Sequence, residues 1–272
     1  MSSRAKLSKV KKLVKFNHAL SLVLLTMALC SYKPLGVNKV KVKTIVIDAG
    51  HGGHDAGCMY GGAKEKDVTL KVALKLGKEI EKLIPDAKVI YTRTEDHFVE
   101  IWERAGVANR NNADLFISIH CNANKNTEVY GTETFSMGLH KSEGNLEVAK
   151  RENDVILLEK DIEERYEGFD PNSPEAHIYF SFLQSAYIDQ SLKLAGLVED
   201  NFRNIKRTSR GVKQAGLMVL WKSKMPSILI ETGFLSNKHE RAFLTSDSGQ
   251  VELAKSIAKS VNAYKKQTES AK

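Results

Sequence analysis

Two histidines follow runs that have the apolar character of buried β-strands. His51 lies in the loop Asp48–Gly53 after the run Thr44–Asp48, and His120 comes directly after the run Leu115–Ile119. The carboxyl ends of the strands in an α/β sheet border the crevice where such sheets bind ligands. Two imidazoles placed there can converge although they are far apart in the chain, and imidazole is the commonest protein ligand for metals. The spacing therefore predicts a metal site.

Two carboxylates can complete this site. Glu65 opens a helical pattern soon after His51, and Glu231 directly follows the apolar run Ser227–Ile230. Two imidazoles, one carboxylate and an open position suit Zn2+ in a catalytic site, and a further carboxylate suits a general base. We therefore expect His51, Glu65 and His120 to bind zinc, and we expect Glu231 to act as the catalytic base.

Several neighbours of these residues have weaker predicted roles. Gly52 permits a tight turn close to the metal. Asn122 is expected to contact the substrate or to orient His120, with a loop cap as the alternative. Cys58 and Cys121 lie near the metal residues in sequence, so they could form a disulfide, contact the metal or do neither.

The positive charge of the chain is concentrated at its amino terminus. The 272 residues include 41 Lys and Arg and 33 Asp and Glu, which gives a formal net charge of +8. Six of the basic residues and none of the acidic ones lie within residues 1–30, so the remainder is nearly neutral. No patch of interleaved arginine and aromatic residues follows. We therefore expect no nucleic-acid partner.

Residues 1–30 have the layout of an export signal. A lysine-rich segment precedes an apolar run from Ala19 to Leu29, and small residues follow around positions 28–31. The run is shorter than the roughly 20 apolar residues that span a bilayer. We expect a signal cleaved near Cys30, export to the periplasm and no stable membrane insertion afterwards. An uncleaved anchor and lipidation at Cys30 are the alternatives.

Apolar periodicity predicts one α/β domain over residues 42–266, after a linker at 31–41 and before a tail at 267–272. The predicted strands are Thr44–Asp48, Lys88–Thr92, Leu115–Ile119, Gly131–Ser136, Leu217–Leu220 and Ser227–Ile230, and the predicted helices are Asp67–Leu83, Val99–Asn111 and Val251–Tyr264. Strands that alternate with helices favour a mostly parallel or mixed sheet with helices on its faces. The chain is long enough for one sizeable core.

The stretch 138–190 lacks a convincing core strand, and we predict that it is a helical insertion. Residues 143–166 are heavily charged but carry apolar residues, and a second helical pattern begins near Glu175. The insertion is either a solvated elaboration at the sheet edge or a lid over the metal crevice. A lid could place a carboxylate in the open zinc position, and the acidic residues considered for this are Glu159, Asp161, Glu163 and Glu164.

Five sequence blocks together resemble one enzyme family. The blocks are Asp48–Gly53, Glu65–Asp67, Thr92–Arg93 with Asp96, Ala113–His120 with Asn122–Ala123, and Glu231–Asn237. In residues and in order they are similar to the zinc-dependent N-acetylmuramoyl-L-alanine amidases, over roughly residues 42–264. The resemblance implies a twisted sheet of about six strands. It also implies a peptidoglycan hydrolase that cuts the amide between N-acetylmuramic acid and the L-alanine of the stem peptide.

The resemblance has further implications for cofactor, partners and role. It implies a zinc enzyme that acts on peptidoglycan in cell-wall remodelling or daughter-cell separation. In this family a helical insertion can block the site until an activator displaces it, so a protein activator acting on residues 138–190 is an expected partner. We expect the enzyme to be a monomer.

Two other classes of function stay open at the level of sequence. A zinc peptidase or a sugar deacetylase could use the same crevice, and it would cut inside the stem peptide or release acetate. A non-catalytic wall-binding or regulatory protein on the same scaffold would bind walls without releasing peptides. The intact set of ligands and base argues against the non-catalytic alternative.

Overall fold

The computed structural model describes residues 41–138, 142–166, 173, 175 and 187–270. These residues belong to one unit, Lys41–Lys272. The predicted export signal at 1–30 lies outside the described residues, as does the predicted linker up to residue 40. Across the described ranges, no helix combines the length and the apolar character that crossing a bilayer requires.

A mixed six-stranded sheet forms the centre of the fold. In chain order the strands are β1 (Thr44–Ala49), β2 (Met59–Tyr60), β3 (Ala63–Lys64), β4 (Lys88–Tyr91), β5 (Leu115–Asn122), β6 (Thr132–Met137), β7 (Ser209–Ala215) and β8 (Ser227–Phe234). Strands β2 and β3 form a separate hairpin, and the others have the order β4-β1-β5-β8-β6-β7. All neighbours are parallel except β6 and β8. The predicted α/β fold with about six strands is confirmed.

Seven α-helices flank the sheet within the described ranges. They are α1 (Glu65–Leu83), α2 (Ile101–Arg110), α3 (Glu143–Asn153), α4 (Ile162–Arg165), α5 (Ile188–Asn204), α6 (Lys238–Thr245) and α7 (Asp247–Ser270). Two 3-10 turns, Asp154–Leu158 and Met218–Leu220, complete the described elements. The helical insertion contributes α3, the first 3-10 turn and α4, and part of it lies outside the described residues.

The central strands β1, β5 and β8 are buried almost throughout because helices cover both faces of the sheet. Ile45 and Ile47 of β1 pack with α1, α5 and α7, whereas Val46 packs with α2, α3 and the 3-10 turn Met218–Leu220. All three side chains are completely buried. Burial of a side chain of this kind contributes about 1.5–3 kcal/mol to stability.

One predicted strand is wrong, and one strand was missed. The apolar segment Leu217–Leu220 contains a 3-10 turn, Met218–Leu220, which is buried because it packs against α2 rather than because it pairs in the sheet. The missed strand, β7, is polar and contains Gly211. It forms the edge of the sheet, where pairing on one side and exposure on the other tolerate such residues.

Other elements extend past their predicted ends. Strands β5 and β8 continue to Asn122 and Phe234, and α1 begins at Glu65 rather than Asp67. The last helix continues to Ser270, so the described residues of the predicted tail are helical.

One end of the sheet collects the carboxyl ends of four strands and the amino ends of two. The parallel strands β4, β1, β5 and β8 end there, and because β6 runs antiparallel to β8, both β6 and β7 begin there. Side chains from neighbouring strands can therefore meet at this end of the sheet.

Candidate metal centre

His51 lies two residues after the last residue of β1, at this end of the sheet. Its backbone has a φ of 61°, in the left-handed region that L side chains rarely adopt. Arg104 stabilises this conformation, since its Nη2 donates to the carbonyl oxygen of His51 at 2.9 Å. The Nδ1 atom of His51 lies 2.7 Å from Oδ2 of Asp55, which leaves Nε2 to face the centre. A carboxylate in this position fixes the ring orientation of a ligand histidine.

Glu65 is the first residue of α1 and is almost fully buried. Two backbone N–H groups orient its carboxylate: that of Cys121 donates to Oε1 at 2.9 Å, and that of Cys58 donates to Oε2 at 3.0 Å. Oε1 of Glu65 lies 3.1 Å from Nε2 of His51 and 3.2 Å from Nδ1 of His120. The structure therefore brings the three predicted ligands together.

His120 reaches the centre because the facing backbone has no side chain. A Cβ atom at Gly50 would lie 2.4 Å from Nε2 of His120, so only glycine lets the ring approach so closely. The rings of His51 and His120 meet edge to face, with centroids 4.9 Å apart.

Glu152 in the last turn of α3 supplies a fourth ligand atom that the sequence analysis missed. Its Oε2 lies 2.8 Å from Nδ1 of His120 and 3.6 Å from Nε2 of His51. The only sequence signal was the high charge of the segment, and placing Glu152 requires knowing how α3 packs. Glu152 therefore lies where an open zinc site would accept another ligand.

The acidic residues that we considered for this position are not part of the cluster among the described residues. Glu159 accepts hydrogen bonds from the backbone N–H of Ile101 and from the hydroxyl of Tyr166. Oδ2 of Asp161 lies 3.7 Å from Nη2 of Arg165. These residues follow α3, after the chain has left the centre. Of the acidic residues in the insertion, the structure therefore brings Glu152, and none of the four considered, to the position beside the histidines.

The donor set fits a metal ion. One atom from each of His51, Glu65, His120 and Glu152 lies within 4.8 Å of the others. His51 Nε2, His120 Nδ1 and Glu152 Oε2 are buried, yet none makes a hydrogen bond of acceptable geometry to a described residue. Buried polar atoms are rarely left unpaired. Two imidazoles with carboxylates are a ligand set that zinc prefers.

The carboxylates set the protonation of the histidines. Burial disfavours the charged ring of His51, but the carboxylates of Glu65 and Asp55 together outweigh burial and raise the pKa of His51 to about 9. Burial also opposes the charged form of His120, whose pKa Glu152 nevertheless raises well above its usual range. Burial opposes the ionised form of Glu65, but the rings of His51 and His120 favour it, and the pKa of Glu65 is lowered well below its usual value. A bound cation would replace these protons, so metal binding is expected to release them.

Glu231 lies in β8, opposite His120 in the neighbouring strand β5, and is fully buried. Nη2 of Arg151 donates to its Oε1 at 3.1 Å, whereas its Oε2 makes no hydrogen bond to a described residue. Burial raises the pKa of Glu231 well above its ordinary value; nearby Glu152 adds to this and Arg151 opposes it. A carboxyl group in such surroundings can hold a proton near neutral pH.

Asn122 bridges two charged groups next to the centre, and its Oδ1 also accepts from the backbone N–H of Ala123 at 2.8 Å, a local contact of the kind that the loop-cap alternative expects. Its Nδ2 donates to Oε2 of Glu133 at 2.9 Å, and its Oδ1 accepts from Nη1 of Arg151 at 3.0 Å. Gly52 has a φ of 128°, and a Cβ atom there would lie 2.2 Å from the carbonyl oxygen of His97. The predicted tight turn at Gly52 therefore requires glycine, and a contact of either residue with substrate stays a prediction.

Cys58 and Cys121 are free thiols outside the ligand cluster. The Sγ atom of Cys58 lies 3.4 Å from the carbonyl oxygen of Cys121, and the Sγ atom of Cys121 lies 3.3 Å from Oγ1 of Thr232. Burial raises the pKa of both thiols, and a neutral thiol is a poor metal ligand. The two thiols therefore form no disulfide with each other, and they lie outside the group of described residues that could hold a metal.

Residues 45–263 match the model of one protein family, N-acetylmuramoyl-L-alanine amidase. The chain belongs to this family. The amidase AmiC of Escherichia coli is 34% identical over 227 residues, which cover 81% of this chain and 52% of AmiC. The chain thus spans about half the length of that relative.

Solved amidase structures have the same fold. The crystal structure of an N-acetylmuramoyl-L-alanine amidase from Clostridium difficile 630 gives a TM-score of 0.61 at 29% identity and covers 82% of this chain and 97% of that one. The CwlD amidase from Clostridioides difficile, solved in complex with the GerS lipoprotein, gives a TM-score of 0.59 at 26% identity, with 82% and 98% coverage. The mixed sheet and its flanking helices are therefore those of this amidase family.

A buried ion pair beneath the centre supports the amidase fold. Nη1 of Arg104 donates to Oδ1 of Asp48 at 2.9 Å, and both side chains are buried. The hydroxyls of Ser118 and Thr92 donate to the same carboxylate at 2.6 and 2.7 Å. Burial alone would raise the pKa of Asp48, but Arg104 and the two hydroxyls outweigh burial and hold it below its usual value.

We expect Asp48→Asn to lower the free energy of unfolding by about 3–5 kcal/mol at pH 7, because it leaves the guanidinium of Arg104 buried without its partner. Since the pKa of Asp48 is lower in the folded state, its contribution is present at neutral pH and is lost as the pH falls through the folded-state value. Urea unfolding of both proteins at pH 7 and at about pH 3 checks this. Asp200→Asn in the exposed Asp200–Arg203 pair is the control, and an equal loss in both variants contradicts the account.

Proposed function

We propose that this chain is a zinc-dependent peptidoglycan hydrolase that cleaves the amide between the lactyl group of N-acetylmuramic acid and the L-alanine of the stem peptide. The observation that carries the proposal is the buried cluster of two histidines and two carboxylates, with Glu231 on the neighbouring strand. Membership of the amidase family supports the choice of bond. We propose wall remodelling or daughter-cell separation as its role.

His51, Glu65 and His120 would hold the zinc ion. When bound, zinc supplies polarisation of the scissile carbonyl and makes water at the site more acidic. The protein fixes these ligands beforehand through the Asp55 carboxylate and the two N–H groups that hold Glu65. Such preorganisation reduces the reorganisation that the reaction would otherwise require.

Glu231 is the proposed acid and base of the reaction. It takes a proton from the water that attacks the carbonyl carbon, and as the C–N bond breaks it delivers a proton to the departing L-alanine amine. Its unpaired, buried Oε2 supports this assignment. A raised pKa suits the donating step, because a protonated carboxyl is then populated nearer neutral pH.

The described conformation is proposed to be an inactive form. Glu152 occupies the fourth ligand position, and the adjacent Arg151 donates to the carboxylate of Glu231. One turn of α3 therefore engages both the metal ligands and the base. Catalysis requires this turn to withdraw, so that the insertion over residues 138–190 acts as a regulatory lid.

A protein that displaces α3 is the proposed activating partner, with peptidoglycan as the substrate. The CwlD amidase is known in a complex with a lipoprotein, which supports the idea of a protein partner for this family. We also propose that residues 1–30 direct export to the periplasm and that the mature enzyme acts as a monomer.

We expect Asp55→Asn to lower zinc affinity by about 10- to 100-fold, because the amide no longer orients the ring of His51 as a carboxylate does. Competition with a chromophoric chelator measures the affinity, and circular dichroism checks that the fold is retained. Asp67→Asn, in the exposed part of the first turn of α1, is the matched control. Unchanged affinity in the Asp55 variant would refute its role in holding the ring.

Metal analysis tests the proposed zinc enzyme directly. The purified chain should bind one zinc ion, and a chelator should abolish lysis of purified walls until zinc is restored. His120→Ala should bind no zinc and should remain inactive after zinc is added. Wall lysis that persists without any metal would refute the proposed chemistry.

A further inference from the structure

A basic cavity adjoins the metal centre on the side of the edge strand β7. It has a volume of about 630 Å³. Arg151, which donates to Glu231, and Asn122, which donates to Glu133, are part of its lining. Arg210 and Lys213 of β7 also line it. Neither cation has a role in the proposed reaction.

A β-bulge directs both cations to the same place. Thr132 of β6 pairs with Ser209 of β7, but Thr134 pairs with Val212, so β7 contains one extra residue between these pairs. Gly211, with a φ of 88°, allows the bulge. Residues three apart on a regular strand point to opposite faces. Because of the bulge, Arg210 and Lys213 instead converge on one carboxylate.

That carboxylate belongs to Glu133, which is almost fully buried. Its Oε1 accepts from Nε of Arg210 at 2.5 Å and from Nζ of Lys213 at 2.6 Å, while its Oε2 accepts from Asn122. Among the described residues, Glu133 is the only carboxylate within 4.0 Å of either cation. The single negative charge of Glu133 thus lies between the positive charges of Arg210 and Lys213, so this group of three has a net positive charge next to the cavity.

Arg210 packs on an aromatic ring and is still open to a ligand. The guanidinium of Arg210 lies over the ring of Phe234, 5.5 Å from its centroid, and this ring also lines the cavity. The Arg210 side chain is still 40% exposed. Nε of Arg210 is engaged by Glu133, so the two outer guanidinium nitrogens can bind a second carboxylate. Arginine binds carboxylates well because two of its N–H groups can donate to both oxygens.

The distance between Glu231, the proposed base, and Arg210 limits which carboxylate of a bound peptide Arg210 can reach. Glu133 and Glu231 are directly opposite each other on β6 and β8, and neighbouring strands lie about 4.8 Å apart. An extended peptide advances about 3.3–3.6 Å per residue. A group that binds at Arg210 and Lys213 therefore lies within about three residues of the scissile amide.

We propose that Arg210 and Lys213 bind the free carboxylate of the stem-peptide residue that follows the scissile L-alanine. This inference rests on the proposed amidase function, and it adds a preference for acidic over amidated stem peptides. If the two cations only held β7 to β6, their replacement would lower stability without changing any preference between peptides.

Equilibrium binding of two peptides to the full chain tests the proposal without requiring turnover. The first is L-alanyl-γ-D-glutamyl-L-lysine amide, and the second is the same peptide with the glutamyl carboxylate converted to a carboxamide. We expect the first to bind at least about tenfold more tightly, as judged by calorimetry. Arg210→Gln and Lys213→Gln should each reduce this ratio to about twofold or less.

Matched variants separate recognition from general charge and from folding. Lys125→Gln removes a cation from the same cavity lining but not from the Glu133 group, and it should keep the tenfold ratio. Arg210→Lys retains the charge and should keep part of the preference. Equal affinities in the wild type, no binding of either peptide, or a ratio that survives both Gln variants would each overturn the proposal.

The outcome is separable from that of the proposed function. If the protein releases no stem peptides from walls but distinguishes the two peptides, the carboxylate site stands and the proposed amidase activity is wrong. If it cleaves walls but binds both peptides equally, the amidase activity stands and the carboxylate site is wrong.

Discussion

Glu231→Gln should abolish peptidoglycan turnover while leaving zinc bound. The amide has nearly the same shape as the carboxylate but cannot take a proton from water, and general acid–base catalysis contributes about 10²- to 10⁴-fold to such reactions. The hydrogen bonds that orient the ligands His51 and Glu65 come from Asp55, Cys58 and Cys121 rather than from Glu231, so metal content should be unchanged. Stem-peptide release and bound zinc, measured on the same sample, give the result.

A matched variant makes this prediction specific. Glu128 is an exposed acid in the loop before β6, and Glu128→Gln should retain full activity and full zinc content. If Glu231→Gln kept more than about a tenth of the activity, another group would have to move the proton. If it lost zinc as well, the loss of activity would not identify the base.

Glu152→Gln should raise the basal activity of the enzyme by at least about tenfold at saturating zinc. Glutamine fills the same space but lacks the charge that holds Glu152 beside His120 and Arg151. A tenfold shift requires only about 1.4 kcal/mol in the balance between blocked and open forms. Release of stem peptides in the absence of any partner protein is the measurement.

The control for this variant lies on the same helix. Glu147 of α3 lines the neighbouring cavity and is not part of the ligand cluster, so Glu147→Gln should leave the basal activity low. Arg151→Gln should also raise activity, because it frees Oε1 of Glu231. Unchanged low activity in both the Glu152 and the Arg151 variants, with zinc bound, would show that α3 does not block the site.

Local sequence patterns predicted the parts of the centre that belong to the sheet. The apolar runs before His51, His120 and Glu231 form strands in contact, and the carboxyl ends of such strands meet at one edge. The histidine positions follow from that rule alone. Strand order and the helix that begins at Glu65 then complete the ligand set.

The parts that the sequence did not predict depend on tertiary packing. Glu152 reaches the centre because of where α3 lies, and no local pattern distinguishes it from the other acidic residues of the insertion. Asp55 acts through a loop contact with His51. Periodicity also misled at the sheet edge, where polar β7 pairs with β6 while apolar Leu217–Leu220 packs beneath α2 without pairing.

Mass spectrometry of the products released from purified peptidoglycan tests the central claim most directly. Residues 31–272, with and without Glu152→Gln, would be assayed with added zinc and with a chelator. The account predicts zinc-dependent release of intact stem peptides that carry a free L-alanine amine, with more product from the variant. Acetate release, cleavage inside the stem peptide, or no release from either protein while zinc is bound would contradict it.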